Sequence, residues 1–432
     1  MNVAVLGLWH LGTVTAACLA SGGHTVVGLD FDPTVVANLA EGRPPLFEPG
    51  LEDLVRLGLA GGRLRFTTDP ASAVRAADLI MVAYDTPVDD DDRADVEYVV
   101  DRTSRLFPHF RDGQLVIISS QVPVGTTRRC DQAFAAESGG RVVGFGYIPE
   151  NLRLGTAIAA FTQPDRTVAG IRSEADRSKV GALLKPFTER IEWMSVESAE
   201  MTKHALNAFL ATSVTFINEI AALCEQVGAD ATEVERGLKS EARIGPKAYL
   251  GPGGAFAGGT LARDIVFLSE LGQTHGVATH LLSSVKASND AHRQWPLRRL
   301  LRLLGGVSGK KIAVWGLTYK PGTDTLRRSS AIELCQDLVA QGASVRAFDP
   351  AVKRLPLDLA DRMVLSDTPL SAVEGASALV VATPWPEYRE VAASEVFSRM
   401  TRTLVLDANR FLGETLGKHS EVEYLSVGRT RA

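Results

Sequence analysis

The chain has 432 residues, 46 basic and 51 acidic side chains, a net charge of −5 and an apolar fraction of 45%. This is the composition of an ordinary globular protein with room for two or three domains. It carries no basic stripe or acidic tail that would point to nucleic acid or an anionic membrane surface as a partner. Four widely spaced cysteines, Cys18, Cys130, Cys224 and Cys335, each fall within a helical pattern without metal-ligand spacing. They read as small buried hydrophobes in a reducing compartment. No uninterrupted apolar run approaches the roughly 20 residues that span a bilayer, and the N-terminus shows no basic region or cleavable apolar stretch, so a cytoplasmic protein is expected.

From residue 2 to about 194, short continuous apolar runs at 3–6, 25–29, 79–82 and 115–118 alternate with helix-length segments. Such runs predict parallel strands covered on both faces, hence a doubly wound α/β domain. The turn after the first strand reads Gly7-Leu8-Trp9-His10-Leu11-Gly12, and Asp30 closes the second. This is the pattern of a dinucleotide-binding turn with a ribose-binding carboxylate about 20 residues on, except that Trp9 stands where a glycine would let the backbone approach a pyrophosphate. Taken alone, the same residues suit a tight βα turn without a ligand. His10 reads as a turn residue rather than a base, and the aspartates at 89–92 as a solvated loop, so no metal is expected.

Between 196 and about 304 the pattern becomes helical. Residues 200–220 form one long amphipathic stretch, on which Lys203 and Asn207, four apart, share a face. By itself such a pair is ordinary helix surface. Arg243-Ile244-Gly245-Pro246-Lys247 then leads through Tyr249 into a run of small residues from Gly251 to Thr260, ending in Arg263-Asp264 just ahead of an apolar helical pattern at 265–268. The glycines let this backbone fold tightly and approach another group closely, although a connection that holds nothing would look similar. After Ser308-Gly309-Lys310 a second α/β pattern has strands at 311–315, 344–348, 378–381 and 404–406. Lys320 and Arg327 lie on loops at strand ends, where cations meet phosphates or sugar hydroxyls or simply face water.

The stretch from Pro252 to Asp264 resembles the active-site loop of the UDP-glucose/GDP-mannose dehydrogenase family, where a Pro-Gly-x-x-Phe-Gly-Gly-Ser-Cys-x-Pro-Lys-Asp pattern carries a nucleophilic cysteine. Anchored on Pro252, Phe256 and Asp264, that cysteine falls on Thr260. The resemblance runs through Glu48-Pro49-Gly50-Leu51, Thr86-Pro87, Val122-Pro123-Val124-Gly125-Thr126, Pro149-Glu150-Asn151-Leu152, Lys203 with Asn207, Asp324-Thr325-Leu326-Arg327, Ala382-Thr383-Pro384-Trp385 and Asp407-Ala408-Asn409-Arg410. It therefore covers nearly the whole chain. It implies two Rossmann-like doubly wound domains joined by a long central helix and a helical dimerisation region. An NAD-binding domain would occupy 1–195, a central domain 196–304 and a nucleotide-sugar-binding domain 305–432, in a homodimer.

The resemblance further implies that Gly7, Trp9, His10, Leu11, Gly12, Asp30, Thr86, Gln121, Lys320 and Arg327 bind the cofactor, with Asp30 favouring NAD over NADP. Gln121 stands in place of a family threonine. Glu150, Arg243, Tyr249, Phe256, Gly258, Lys320 and Arg410 would bind the sugar nucleotide, GDP- or UDP-linked, with Arg243 reaching it across a dimer contact. Lys203, Asn207, Asp264, Glu150 and Thr260 would make up the catalytic set.

Family members oxidise a primary alcohol to a carboxylate with two NAD, the cysteine holding the aldehyde as a thiohemiacetal and then a thioester. A threonine hydroxyl is a poor substitute, because it needs a dedicated strong base where a thiol is already partly ionised near neutral pH. The first oxidation needs only a base, an oxygen-stabilising donor and a bound nicotinamide. The expected activity is thus a single two-electron oxidation to a ketone or aldehyde, resembling a branch of the family that oxidises a GDP-linked octose on the way to lincosamide aminosugars. The alternatives are a four-electron uronate-forming enzyme without the cysteine, an epimerase with retained NAD, and a non-catalytic nucleotide-sugar sensor.

Overall fold

The computed structural model describes residues 1–89, 93–257 and 259–429. These form two compact units, Met1–Ala205 and Leu206–Ala432. In the first unit, the described residues build one sheet from β1 (Asn2–Leu6), β2 (Thr25–Leu29), β3 (Leu64–Thr67), β4 (Leu79–Val82), β5 (Leu115–Ile118), β6 (Gly144–Tyr147), β7 (Thr167–Gly170) and β8 (Ile191–Met194), in the order β3-β2-β1-β4-β5-β6-β7-β8. Neighbours pair in parallel except β6 with β7.

The apolar runs explain this layering. Successive side chains of a strand point to opposite faces, so Val3, Val5, Leu79, Met81, Leu115 and Ile117 enter one core while Ala4, Leu6, Ile80, Val82, Val116 and Ile118 enter the other. Each large aliphatic side chain buried in this way contributes roughly 1.5–3 kcal/mol. The doubly wound architecture expected from the runs is present.

The second unit holds a parallel sheet of β9 (Lys311–Trp315), β10 (Ser344–Phe348), β11 (Val364–Leu365), β12 (Ala378–Val381), β13 (Leu404–Asp407) and β14 (Glu423–Leu425), in the order β11-β10-β9-β12-β13-β14. The same alternation sends Ile312, Val314, Val380, Leu404 and Leu406 into one core and Ala313, Trp315, Leu379, Val381 and Val405 into the other. Helices at Ala231–Ser240, Thr260–Thr274, His280–Arg293 and Trp295–Leu304 precede the sheet. Within this unit the buried Glu225 carboxylate accepts from the Trp295 indole N–H (2.9 Å) and the Gly428 N–H (3.0 Å) and pairs with Arg299, so its charge is fully partnered.

One 32-residue helix, Val196–Val227, is long and apolar enough to cross a bilayer by length and composition alone. The side chains of Glu200, Lys203, His204, Asn207 and Asn218 are buried in it, each with a protein partner.

All four cysteines are free and buried. Burial pushes the thiols of Cys18, Cys130 and Cys335 up to about 12, where almost no thiolate exists at neutral pH. Iodoacetamide at pH 7.5 is therefore expected to label none of the four in the native protein and all four in denaturant, read by intact mass. Stoichiometric labelling of the folded protein would show that a thiol is accessible.

Candidate functional site

The expected cofactor residues of the first unit gather at the carboxyl ends of β1, β2, β4 and β5, while Lys320 and Arg327 belong to the second unit. β1 pairs with both β2 and β4, so the strand order reverses there, and this is where open α/β sheets bind ligands. Gly7 takes φ +89°, and a Cβ on it would lie 2.6 Å from the Tyr84 ring. A Cβ on Gly12 would lie 1.6 Å from the Gly7 carbonyl oxygen, so neither position tolerates a side chain. The Leu8 N–H donates to Asp30 Oδ2 (2.7 Å), which ties the turn to the end of β2. Trp9 caps the helix His10–Ser21 with its side chain half exposed, and Leu11 is buried in that helix. Thr86 Oγ1 donates to the Gln121 carbonyl (2.8 Å), with both residues buried. The tight glycine turn, the helix N-terminus and the strand-end carboxylate fit a dinucleotide's diphosphate and ribose. Trp9 in the middle position is the departure already visible in the sequence.

His10 is the first residue of the helix, and its Nε2 lies 3.1 Å from Glu48 Oε2. The buried Glu48 also accepts from the N–H groups of Gly155 (2.7 Å) and Ala157 (2.8 Å). One carboxylate thus fixes the segment following Pro149-Glu150-Asn151-Leu152 from more than a hundred residues away.

Lys203 is buried with Glu150 in the same unit. Its Nζ donates to the Glu150 carbonyl oxygen (2.5 Å) and lies 3.2 Å from Glu150 Oε1. One turn earlier, the fully buried Glu200 accepts from the N–H groups of Gly125 (2.7 Å) and Thr127 (2.9 Å), and the His204 ring lies 2.9 Å from the Val122 carbonyl oxygen. The helix thereby pins the strand-end turn that contains Gln121. Sequence reading passed over Glu200 and His204. Their signal was two polar groups on the same amphipathic stretch, set among apolar neighbours.

In the second unit the Asn207 amide donates to the carboxylate of Asp264, which is wholly buried. The expected helical pattern at 265 begins earlier, because Gly259, at φ +112°, ends the loop and Thr260 opens the helix Thr260–Thr274. Thr260 and Asp264 therefore sit four residues apart on one helix face, with Thr260 exposed.

Side-chain amides hold the loop ahead of them. Asn218 Oδ1 accepts from Gly253 N–H (3.0 Å), Asn409 Oδ1 accepts from Gly254 N–H (2.8 Å), and Asn289 both accepts from Phe256 N–H (3.0 Å) and donates to the Phe256 carbonyl (2.8 Å). His292 Nε2 donates to the Gly253 carbonyl (2.8 Å). Sequence reading did not find these clamps.

The remaining expected residues are more dispersed. Arg243 is exposed and paired with Glu241, Tyr249 is exposed, and Phe256 is half-buried. Gly258 lies outside the described residues, as do 90–92 of the acidic run. Lys320 is half-buried and Arg327 exposed, both on the segment after β9. Arg410, expected to bind substrate, is placed otherwise. Its Nε donates to Ser426 Oγ (3.0 Å), Nη1 to Thr232 Oγ1 (2.8 Å), and Nη2 to Asp230 Oδ1 (3.0 Å) and the Val427 carbonyl (3.3 Å). All three nitrogens are engaged inside the unit, so the residue acts as a strut. Burial works against the Asp230 charge, yet hydrogen bonds from Thr232 and Arg410 hold its pKa below the ordinary carboxylate value.

Burial depresses the pKa of His292, although its bond to Gly253 opposes the shift. A histidine whose folded pKa lies below its unfolded value adds stability above about pH 6.5 and loses it as pH falls through the folded value. Acidification is thus expected to lower the melting temperature through this window, and His292→Gln to flatten that dependence. An unchanged slope in the variant would show that His292 is not the titrating group.

Three models of the UDP-glucose/GDP-mannose dehydrogenase family match consecutive parts of the chain: the NAD binding domain at 1–188, the central domain at 197–291 and the UDP binding domain at 313–414. The UDP-glucose 6-dehydrogenase of Pseudomonas aeruginosa is 33% identical over 446 residues, covering 100% of this chain and 98% of that one. That of Rhizobium meliloti is 35% identical over 437 residues, covering 99% and 100%. Among solved structures, a UDP-glucose dehydrogenase from Pyrobaculum islandicum superimposes with a TM-score of 0.88 at 30% identity, covering 100% of this chain and 98% of the other. With its three regions matched in order, the chain belongs to the UDP-glucose/GDP-mannose dehydrogenase family and is an NAD-dependent nucleotide-sugar dehydrogenase.

Proposed function

We propose that this enzyme removes a single hydride pair from a hydroxyl of a nucleotide-activated sugar and releases a keto or aldehyde sugar. The observation that carries this reading is that all four thiols are buried, while the residue at the start of the helix Thr260–Thr274, aligned with the family nucleophile, is a threonine. Without a thiol no thioester forms, and a second oxidation has no covalent intermediate to draw on. A secondary alcohol is the natural substrate, because a ketone cannot be oxidised further without breaking a carbon bond.

Bound NAD supplies the hydride acceptor. Asp264 and Lys203 take the hydroxyl proton, directly or through a water, and the Asn207 amide steadies the oxygen as charge develops on it. Lys203 and Asn207 are four apart on one helix, which fixes their spacing. Glu150 holds the Lys203 Nζ and orders substrate or water, and Thr260 contributes only a hydrogen-bonding hydroxyl. Arg243, Tyr249 and Phe256 face the sugar, and Lys320 and Arg327 the phosphates.

The domain limits 1–195, 196–304 and 305–432 belong to this proposal, as do a cytoplasmic location and a role in antibiotic sugar biosynthesis like that of the GDP-octose branch. So does a homodimer. Phe209, Phe216, Leu223 and Val227 leave an exposed apolar row along the central helix at spacings of seven, seven and four, suited to pairing with its copy.

A second reading, four-electron oxidation to a uronate, is favoured by the names of the relatives at 33–35% identity. A panel of UDP- and GDP-sugars incubated with NAD separates the two by product mass. The expected product is lighter by two hydrogens and forms an oxime with hydroxylamine. A product that loses two hydrogens but gains an oxygen would overturn the proposal. Lys203→Met and Asp264→Asn are expected to lower kcat by about a hundredfold or more with NAD affinity little changed.

A further inference from the structure

The helix His10–Ser21 begins at the turn that would cradle a dinucleotide's diphosphate, and its first-turn N–H groups have no partner within the helix. A diphosphate seated there takes those N–H groups and the positive end of the helix dipole. In this chain one of them is already taken, because the Leu11 N–H donates to Asp85 Oδ2 at 3.3 Å.

Strand order brings Asp85 to this place. It lies just past the end of β4, which pairs with β1 in the register Leu6 with Val82. The backbone on either side is fixed. The Ala83 N–H donates to the Leu6 carbonyl (2.8 Å), the Tyr84 ring packs against Gly7, and Thr86 is hydrogen-bonded to Gln121. Asp85 itself is exposed, so solvent and a ligand can reach its carboxylate.

The surroundings make the contest sharper. Trp9 removes the glycine that would let a diphosphate approach the turn more closely, so the remaining helix N–H groups matter more. The neighbouring His10 ring is engaged by Glu48. Asp30 adds a second carboxylate at the same sheet edge.

We propose that Asp85 sets cofactor affinity by competing, as an internal anion, with the diphosphate for the N-terminus of this helix. NAD binds after displacing the carboxylate, and reduced cofactor leaves as the carboxylate returns. The inference rests on the NAD-binding domain and not on which sugar product forms.

Calorimetric titration of the full-length protein with NAD, ADP-ribose and adenosine tests it. Asp85→Asn removes the charge while keeping the shape, and Asp85→Ala removes both. Each variant is expected to bind NAD and ADP-ribose about tenfold more tightly than the parent, with adenosine, which lacks the diphosphate, unchanged. NAD affinity in both variants equal to or weaker than the parent's would overturn the proposal. So would an equal gain for adenosine, which would place the effect away from the diphosphate.

Discussion

A helix that buries four polar side chains within two turns must give each one a partner, and the central helix does so at Glu200, Lys203, His204 and Asn207, all at 6% exposure or less. An unpartnered buried carboxylate or ammonium would cost several kcal/mol, so these partners fix the register and rotation of the helix more tightly than its apolar contacts could. Glu200 answers two backbone N–H groups, His204 a backbone carbonyl, Lys203 both the carbonyl and the carboxylate of Glu150, and Asn207 the carboxylate of Asp264. Lys203 and Asn207, proposed for proton transfer and oxygen stabilisation, are thus each held, within their own unit, by the hydrogen bonds that make their burial possible.

The fold was legible where one face-independent rule applied. Strands such as β4 and β5 are covered on both sides and so appear as unbroken apolar runs. β3, with Arg65 in it, β6, built as Gly144-Phe145-Gly146-Tyr147, and β14, opening on Glu423, carry no such signature, because they have charged or glycine positions. Individual site residues were legible through their resemblance to family motifs, but what holds them was not. The clamps of Glu48 on Gly155 and Ala157 and of Asn218, Asn289, His292 and Asn409 on the glycine-rich loop join side chains to backbone groups far away in the chain. Only the folded arrangement reveals such pairs. Arg410 shows the converse. The resemblance made it a substrate-binding residue, yet its backbone is left-handed, φ +57°, and its guanidinium is engaged by Asp230 and Thr232.

The chemistry follows from what stands at one helix start. A thiol at that point would be partly ionised and could hold an aldehyde for a second hydride loss, whereas a threonine hydroxyl lacks that acidity. Lys203, Asn207 and Asp264, proposed to serve the first hydride loss, are each buried and hydrogen-bonded within their own unit. The second hydride loss runs in the family through a nucleophilic cysteine, and under the proposed function it does not occur here.

The most direct test is the number of hydride equivalents taken from each sugar. With enzyme in excess over a nucleotide sugar that it oxidises, and with saturating NAD, the absorbance of NADH should rise to one equivalent per sugar and stop. A second equivalent following at a comparable rate would contradict the account and show that the first carbonyl product, as an enzyme adduct or as its hydrate, is oxidised again.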